Sequence, residues 1–302
     1  MEMTEFQKKL VTLLPEIELT MEEPMSKHTS FRIGGPVEVM AFPKSAEELS
    51  KILKTSSLLN ITPAILGAGT NILAPDEGIR GLVICLKDCL DGIEQLDENR
   101  IRVAAGVTMT RAAVFAANIG LGGMEFAHGI PGTVGGGVYM NAGAYGGEIC
   151  QICESVEVMD MVGNISTVNC SGMQFGYRHS ILEEKDGIVL SAIFRLTPMA
   201  QEEIRAKMAE LMTKRKTSQP LDLPSAGSAF KRPVGGYAAA LIDQAGLKGF
   251  CVGGAGVSTK HAGFVVNNGG ATSADVKEVL RQVSDKVFEN TGIRLEPEVR
   301  IW

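Results

Sequence analysis

The chain has 302 residues, of which 45% are hydrophobic and 21% charged, and its 29 basic and 35 acidic side chains leave a net charge of −6. That length suits two domains or one large subdivided domain, and the apolar content excludes a disordered chain. The acidic balance disfavours broad attraction to nucleic acid or an anionic membrane, so any phosphate site must be local.

The opening stretch "MEMTEFQKKLVTLLPEIEL" spaces Phe6, Leu10, Leu13 and Leu14 as an amphipathic helix and lacks the apolar core of a signal peptide. No later run approaches the roughly 20 apolar residues of a membrane span, so a cytoplasmic protein is expected. "VEVMAFP" reads as a strand, "SAEELSKILKTSSLL" as a helix opened by a Ser45/Glu48 capping box, and "ITPAILG" as a second strand. Together they make a β-α-β unit that ends in the loop "GAGTN". "GLVICL" and "RIRVAAG" are further strands, and a short helix runs from Thr108 to a stop at Gly120.

The segment "GIPGTVGGGVYMNAGAYGGE" (129–148) has glycine at eight of its twenty positions, a density that argues against a helix or strand interior. Its backbone is expected to bend or to approach something closely. A hairpin around Gly163-Asn164 and the strand "DGIVLSAIFRLTP" follow. The pattern changes after Pro198: "QEEIRAKMAELMTKRKTS" puts Ile204, Met208, Leu211 and Met212 on one helical stripe and ends in Lys214, Arg215 and Lys216. A domain boundary is expected near Thr197. The remainder reads as a small-residue helix stopped by Gly246, a strand "HAGFVVN", and a closing helix with Val276, Leu280, Val283 and Val287 in register. The class is α+β.

Standard nucleotide signatures are absent, since "GAGTNI" lacks the third glycine of a dinucleotide fingerprint and no P-loop occurs. Histidines 28, 128, 179 and 261 are far apart without metal-ligand spacing, and no metal site is expected. Six cysteines in a long chain without an export signal read as reduced thiols, and the Cys150/Cys153 pair as packing. Two glycine-rich loops remain, each able to gather backbone N–H groups around a pyrophosphate. In "PSAGSAFKRP", Ser228 stands open to three readings: a turn residue, a phosphate ligand or a proton donor.

Six stretches in chain order, "HTSFRIGGP", "GAGTNIL", "GIPGTVGGGVYMNAGAYGGE", "FGYRHS", "PSAGSAFKRP" and "LEPEVR", resemble the UDP-N-acetylenolpyruvoylglucosamine reductases, flavoproteins of bacterial peptidoglycan synthesis. The resemblance implies an FAD-binding domain of the vanillyl-alcohol-oxidase type at 1–197, in two α+β subdomains (roughly 1–86 and 87–197), and a smaller α+β substrate domain at 198–302. It implies non-covalent FAD, NADPH as co-substrate and a UDP-sugar substrate, with no nucleic-acid, membrane or obligatory protein partner.

Carried over residue by residue, the resemblance puts catalytic roles on Arg178, Ser228 and Glu298. Cofactor contacts fall on Arg32, Gly67, Ala68, Gly69, Thr70, Asn71, Gly129, Pro131, Gly132, Thr133, Gly135, Gly136, Asn141, Ala142 and Gly143. Candidate substrate contacts are Tyr177, Arg215, Lys231 and Arg232. The short interval from Ser228 to Glu298 resembles the family's shorter subtype, which lacks an inserted substrate-clamping segment. Two alternatives stay open from the residues alone: a flavin-dependent oxidase on the same scaffold, and a non-catalytic dinucleotide-binding module.

Overall fold

A computed structural model describes residues 3–87 and 89–302. Its helices are α1 (Glu5–Leu13), α2 (Ala46–Leu58), α3 (Met109–Asn118), α4 (Val134–Tyr139), α5 (Leu182–Lys185), α6 (Gln201–Ser218), α7 (Ala238–Gln244) and α8 (Ser273–Thr291). Threonine hydroxyls cap α1, α3, α4 and α8 by accepting an N–H three residues on. Ser45 caps α2 in the same way, taking the Glu48 N–H at 3.2 Å. The expected box does not close, because the Glu48 carboxylate accepts from the Lys44 N–H at 2.7 Å instead of from that of Ser45. No helix among the described residues is long and apolar enough to cross a membrane.

The chain packs into two compact units, one of Met1–Met21, Val39–Ala68 and Gly81–Lys214, the other of Glu22–Glu38, Gly69–Arg80 and Arg215–Trp302. The first has two apolar cores. In one, Leu10, Leu14, Leu49, Ile52 and Leu53 of the α1 and α2 region meet Val39, Ala41, Leu82 and Ile84. Leu13, expected on the α1 stripe, is instead 45% exposed, being about 100° around the helix from Leu14. Among the described residues a four-stranded sheet runs in the order Glu18–Pro24, Pro36–Phe42, Ile79–Cys85, Ala64–Leu66. The later strand Ile79–Cys85 therefore inserts into the β-α-β unit and pairs in parallel with Ala64–Leu66.

The other core of this unit lies on a five-stranded antiparallel sheet in the order Ile165–Asn169, Cys153–Asp160, Gly187–Arg195, Arg100–Ala104, Ile93–Gln95. Val103, Val156, Ala192 and Phe194 face the small residues Ala112, Ala113, Ala116 and Ala117 around α3. The hairpin turns as expected, with Gly163 at φ +87° and the Asp160 N–H on the Asn164 carbonyl at 2.9 Å. Ile204 and Met208 of α6 are buried in this core, which is why the units part at Lys214 and not at the expected Thr197.

The glycine-dense segment corrects an expectation, since it contains α4, a helix of sequence VGGGVY. A Cβ on Gly135 would lie 2.9 Å from that of Ala105, and one on Gly137 would lie 2.7 Å from Met109 Sδ. Close approach to these neighbours offsets the roughly 1 kcal/mol by which each helical glycine is disfavoured.

The second unit centres on the antiparallel sheet Ser225–Ser228, Phe264–Asn267, Ala255–Val257, Cys251–Val252. Against it Val276, Leu280, Val283 and Val287 of α8 are all buried, as their spacing predicts. The two early segments join this unit through specific ties. Phe31, Ile33 and Leu73 enter its core, and the strand Arg300–Ile301 pairs in parallel with Ile72–Leu73. Ser30 Oγ donates to the Ser225 carbonyl at 2.6 Å. The Asp76 carboxylate accepts the first N–H groups of α8, those of Ser273 and Ala274, at 2.7 and 3.1 Å.

Candidate functional site

Ser228 does not sit in a turn. It is the last residue of the strand Ser225–Ser228, opposite Phe264, after a Gly227 at φ +77° that has open space where a Cβ would be. Its side chain is exposed and its hydroxyl makes no hydrogen bond among the described residues, so the backbone-bonded turn hydroxyl it could have been is not what it is. Glu298 lies on the neighbouring stretch of chain. Its N–H donates to the Ala229 carbonyl at 2.9 Å, Phe230 bridges to Pro297, and the Lys231 N–H donates to the Glu296 carbonyl at 2.9 Å. Backbone pairing thus sets the serine segment beside the glutamate segment.

The early loop fastens this pair further. Asn71 Nδ2 donates to the Glu298 carbonyl at 3.1 Å, and the Asn71 carbonyl accepts the Arg300 N–H at 3.0 Å. Gly69 has φ +62°, and a Cβ there would strike the His28 carbonyl oxygen at 1.9 Å, so its glycine is dictated by packing against the His28 chain. Arg32 is exposed on a left-handed residue at φ +56°. Of the candidate substrate cations in this unit, Lys231 Nζ lies 3.5 Å from Glu296, while the Arg232 guanidinium stacks 4.5 Å over the Tyr237 ring. Arg215 is buried at 6% exposure, with Nη1 on Gln219 Oε1 at 3.1 Å.

Arg178 belongs to the other unit, on a tight turn bridged between Gly176 and His179, with φ +55° at the arginine itself. Three bonds tie that turn to the glycine-dense segment. Asn141 Nδ2 donates to the Gly176 carbonyl at 2.9 Å, Arg178 Nη2 to that of Gly143 at 3.4 Å, and Ser180 Oγ to that of Tyr139 at 2.7 Å. The Arg178 guanidinium also lies 5.1 Å from the centre of the half-exposed Tyr177 ring. Asn141, expected at the cofactor, is only 1% exposed. Its Nδ2 also donates to Glu148 Oε2 at 3.2 Å and its Oδ1 accepts the Cys150 N–H at 2.9 Å, so both ends of its amide are engaged within the protein.

The two glycine stretches of this unit meet at Thr133. Thr133 Oγ1 caps α4 by accepting the Gly136 N–H at 3.4 Å, and a Cβ on Gly67 would stand 3.4 Å from the same oxygen. A Cβ on Gly136 would meet nothing nearer than that hydroxyl at 3.8 Å. Gly67 and Gly136 therefore leave room for a side chain at ordinary contact distance from Thr133, whereas Gly135 is pressed onto Ala105.

The start of α4 does not present a set of unused donors. The N–H groups of Val134, Gly135 and Gly137 donate to Val107, Ala105 and Thr133 carbonyls, those of Met140 and Ala142 to Gly136 and Gly137 carbonyls, and that of Gly129 to Thr110 Oγ1. The expectation that this stretch gathers backbone N–H groups around a pyrophosphate is corrected accordingly, because these N–H groups are already bonded within the protein. Immediately before Gly129, His128 Nδ1 is buried with no hydrogen-bond partner among the described residues. In the sequence His128 looks like an isolated histidine, and its position at the head of the glycine run is the available signal. Open glycine faces, a capping hydroxyl and an orphaned ring nitrogen fit a flat polar group such as a flavin dinucleotide.

Residues 37–169 match the model of an FAD binding domain, and residues 219–302 match that of the UDP-N-acetylenolpyruvoylglucosamine reductase C-terminal domain. The chain is 45% identical over 307 residues to the UDP-N-acetylenolpyruvoylglucosamine reductase of Agathobacter rectalis, with 98% of each chain covered. It is 47% identical over 293 residues to that of Caldanaerobacter subterraneus subsp. tengcongensis, covering 97% of this chain and 96% of the relative. The crystal structure of the reductase from Thermus caldophilus superposes with a TM-score of 0.79 at 35% identity, over 95% of this chain and 99% of the other. With relatives this similar along nearly its whole length, the chain belongs to the UDP-N-acetylenolpyruvoylglucosamine reductase family.

Proposed function

We infer that the protein reduces UDP-N-acetylglucosamine enolpyruvate to UDP-N-acetylmuramate with NADPH, through bound FAD. The observation that carries the reading is the hydrogen-bonded pairing of the Ser228 and Glu298 segments, within the part of the chain that matches the reductase C-terminal domain. Flavin contacts are assigned to Gly67, Ala68, Gly132, Thr133 and Gly136, with His128 beside them, and substrate contacts to Arg178 and to residues of the unit that holds 215–302. FAD, when bound, supplies the hydride that adds to the terminal carbon of the enolpyruvyl double bond.

The protein's own residues then handle charge and proton. Hydride addition leaves negative charge on the enolpyruvyl carboxylate and its neighbouring carbon, and Arg178 offers a fixed, always-charged planar donor for it. Its turn is held by Asn141 and Ser180, so that donor needs little reorganisation. The Ser228 hydroxyl, uncommitted to any protein partner among the described residues, gives its proton to the carbanionic carbon. Glu298, half-buried on the adjoining segment, orients the donor or a water that restores the serine proton. The exposed Lys216 and the buried Arg215 at the end of α6, with Arg232, supply positive charge for the UDP diphosphate.

An anaerobic titration tests this. NADPH should bleach a yellow preparation, and the enolpyruvyl sugar nucleotide should restore the colour. Flavin that re-oxidises rapidly in oxygen and ignores the sugar nucleotide would identify an oxidase, and protein unable to take up FAD would refute any flavoenzyme.

A further inference from the structure

The last turn of α6 ends in an arrangement that the helix cannot complete alone. The Gln219 N–H donates to the Arg215 carbonyl at 2.9 Å, the last bond of the helical series. The next carbonyl, that of Lys216, would take its bond from residue 220, which is proline and has no N–H. Lys260 fills the gap, its Nζ donating to the Lys216 carbonyl oxygen at 2.7 Å. A cation at this place also complements the negative end of the helix.

The loop that carries Lys260 is itself tightly held. Ser258, 3% exposed, accepts the N–H groups of Lys260 and His261 on its hydroxyl at 3.1 and 3.3 Å. The Ser258 N–H donates to the Phe264 carbonyl at 2.9 Å, and the Phe264 N–H to that of His261 at 3.0 Å. His261 Nδ1 accepts the Gly263 N–H at 3.1 Å, and its ring meets Phe264 edge-on at 5.0 Å. Phe264 is the cross-strand partner of Ser228. Lys260 therefore links the cationic end of α6 to the strand pair that carries the proposed proton donor.

We propose that Lys260 is a positioning residue for the substrate's diphosphate: by completing the last turn of α6 it fixes how Lys216 and Arg215 present their charge, and their separation from Ser228. It touches no substrate itself. The proposal rests on the reading that this enzyme takes a UDP-sugar whose diphosphate lies at the end of α6. Because diphosphate and enolpyruvyl group are parts of one ligand, the spacing between their binding groups decides whether both are engaged at once.

UDP binding to the FAD-loaded enzyme, measured calorimetrically, tests it alongside steady-state kinetics. Lys260→Met keeps the aliphatic stem of this exposed side chain and removes the donor, and should weaken UDP about tenfold, the scale of one lost charge-assisted hydrogen bond. KM for the enolpyruvyl substrate should rise in parallel, with kcat changed less than about threefold. Lys260→Arg keeps a cationic donor and should retain most of the affinity, and this variant decides the matter if Lys260→Met does not fold.

Lys216→Met separates the proposal from the reading beneath it. Expected is a loss of UDP affinity in Lys216→Met and a less-than-additive loss in the double variant, because part of the effect of Lys260 runs through Lys216. Full affinity in Lys260→Met with weak binding in Lys216→Met would overturn the positioning role, as would additive losses, which would make Lys260 a direct ligand. Unchanged UDP affinity in Lys216→Met would instead sink the assignment of the diphosphate to α6, and the proposal with it.

Discussion

Ser228→Ala separates chemistry from fold more cleanly than any other substitution in this protein. The Ser228 hydroxyl is exposed and has no hydrogen-bond partner among the described residues, and the pairing of residue 228 with Phe264 uses backbone atoms that alanine retains. Stability should therefore stay within about 0.5 kcal/mol of the parent, the range of ordinary surface substitutions. Nothing in the proposed role touches the reaction of flavin with NADPH, so that half-reaction and the FAD content should match the parent. Oxidation by the enolpyruvyl substrate should slow by about 10²- to 10⁴-fold, equivalent to roughly 3 to 5 kcal/mol of barrier, the worth of a lost general acid. Ser228→Cys should recover part of the loss, since a thiol can also release a proton. Arg178→Lys should slow the same half-reaction, because a single ammonium cannot reproduce the planar fork. Stopped-flow traces of the two half-reactions decide the matter. A Ser228→Ala enzyme re-oxidised by substrate at the parent rate would refute the assignment outright.

Four glycines divide into two classes. Gly67→Val and Gly136→Val fill open space beside Thr133 and should lose flavin from folded protein, whereas Gly69→Val and Gly135→Val strike the His28 carbonyl and Ala105 and should lower the melting temperature of the apo-protein itself; stoichiometric flavin in both of the first pair would contradict the assignment. Burial pulls the His261 pKa below its usual 6.5, with Lys248 acting in the same direction. The neutral ring's contribution to stability is thus complete above pH 6.5 and is lost as the pH falls through the lower folded-state value, so His261→Asn should flatten the acid limb of a stability-against-pH curve. Burial pushes the Cys89 and Cys153 thiols up to about 12 and Cys150 to about 11, so iodoacetamide at neutral pH should spare these three and modify the exposed Cys251 first. All six cysteines are free, and mild reductant should leave activity unchanged; a loss with rising thiol count would overturn that.

Periodicity and punctuation determined most of the elements, because they are local. The stripes of α6 and α8, the threonine start of α3 and the Gly163 hairpin stand where side-chain spacing and caps put them. The six ordered stretches also carried the family, to which relatives 45% and 47% identical along nearly the whole chain belong. What lay beyond the sequence was pairing over long separations. Residues 22–38 and 69–80 carry two of the six stretches, yet nothing local in them says that Ser30 meets Ser225, that Asn71 meets Glu298 or that Asp76 caps α8.

The glycine run could not be read as helix, because the reason for its glycines is the proximity of Ala105 and Met109, a contact with another element. The resemblance put Asn141 among the cofactor contacts; that its amide is engaged by Gly176, Glu148 and Cys150 becomes visible only when the chain is folded. Lys260 carried no local signal at all. Its role exists because Pro220, forty residues earlier, leaves one carbonyl of α6 without a donor, and only the tertiary fold brings an ammonium to that oxygen.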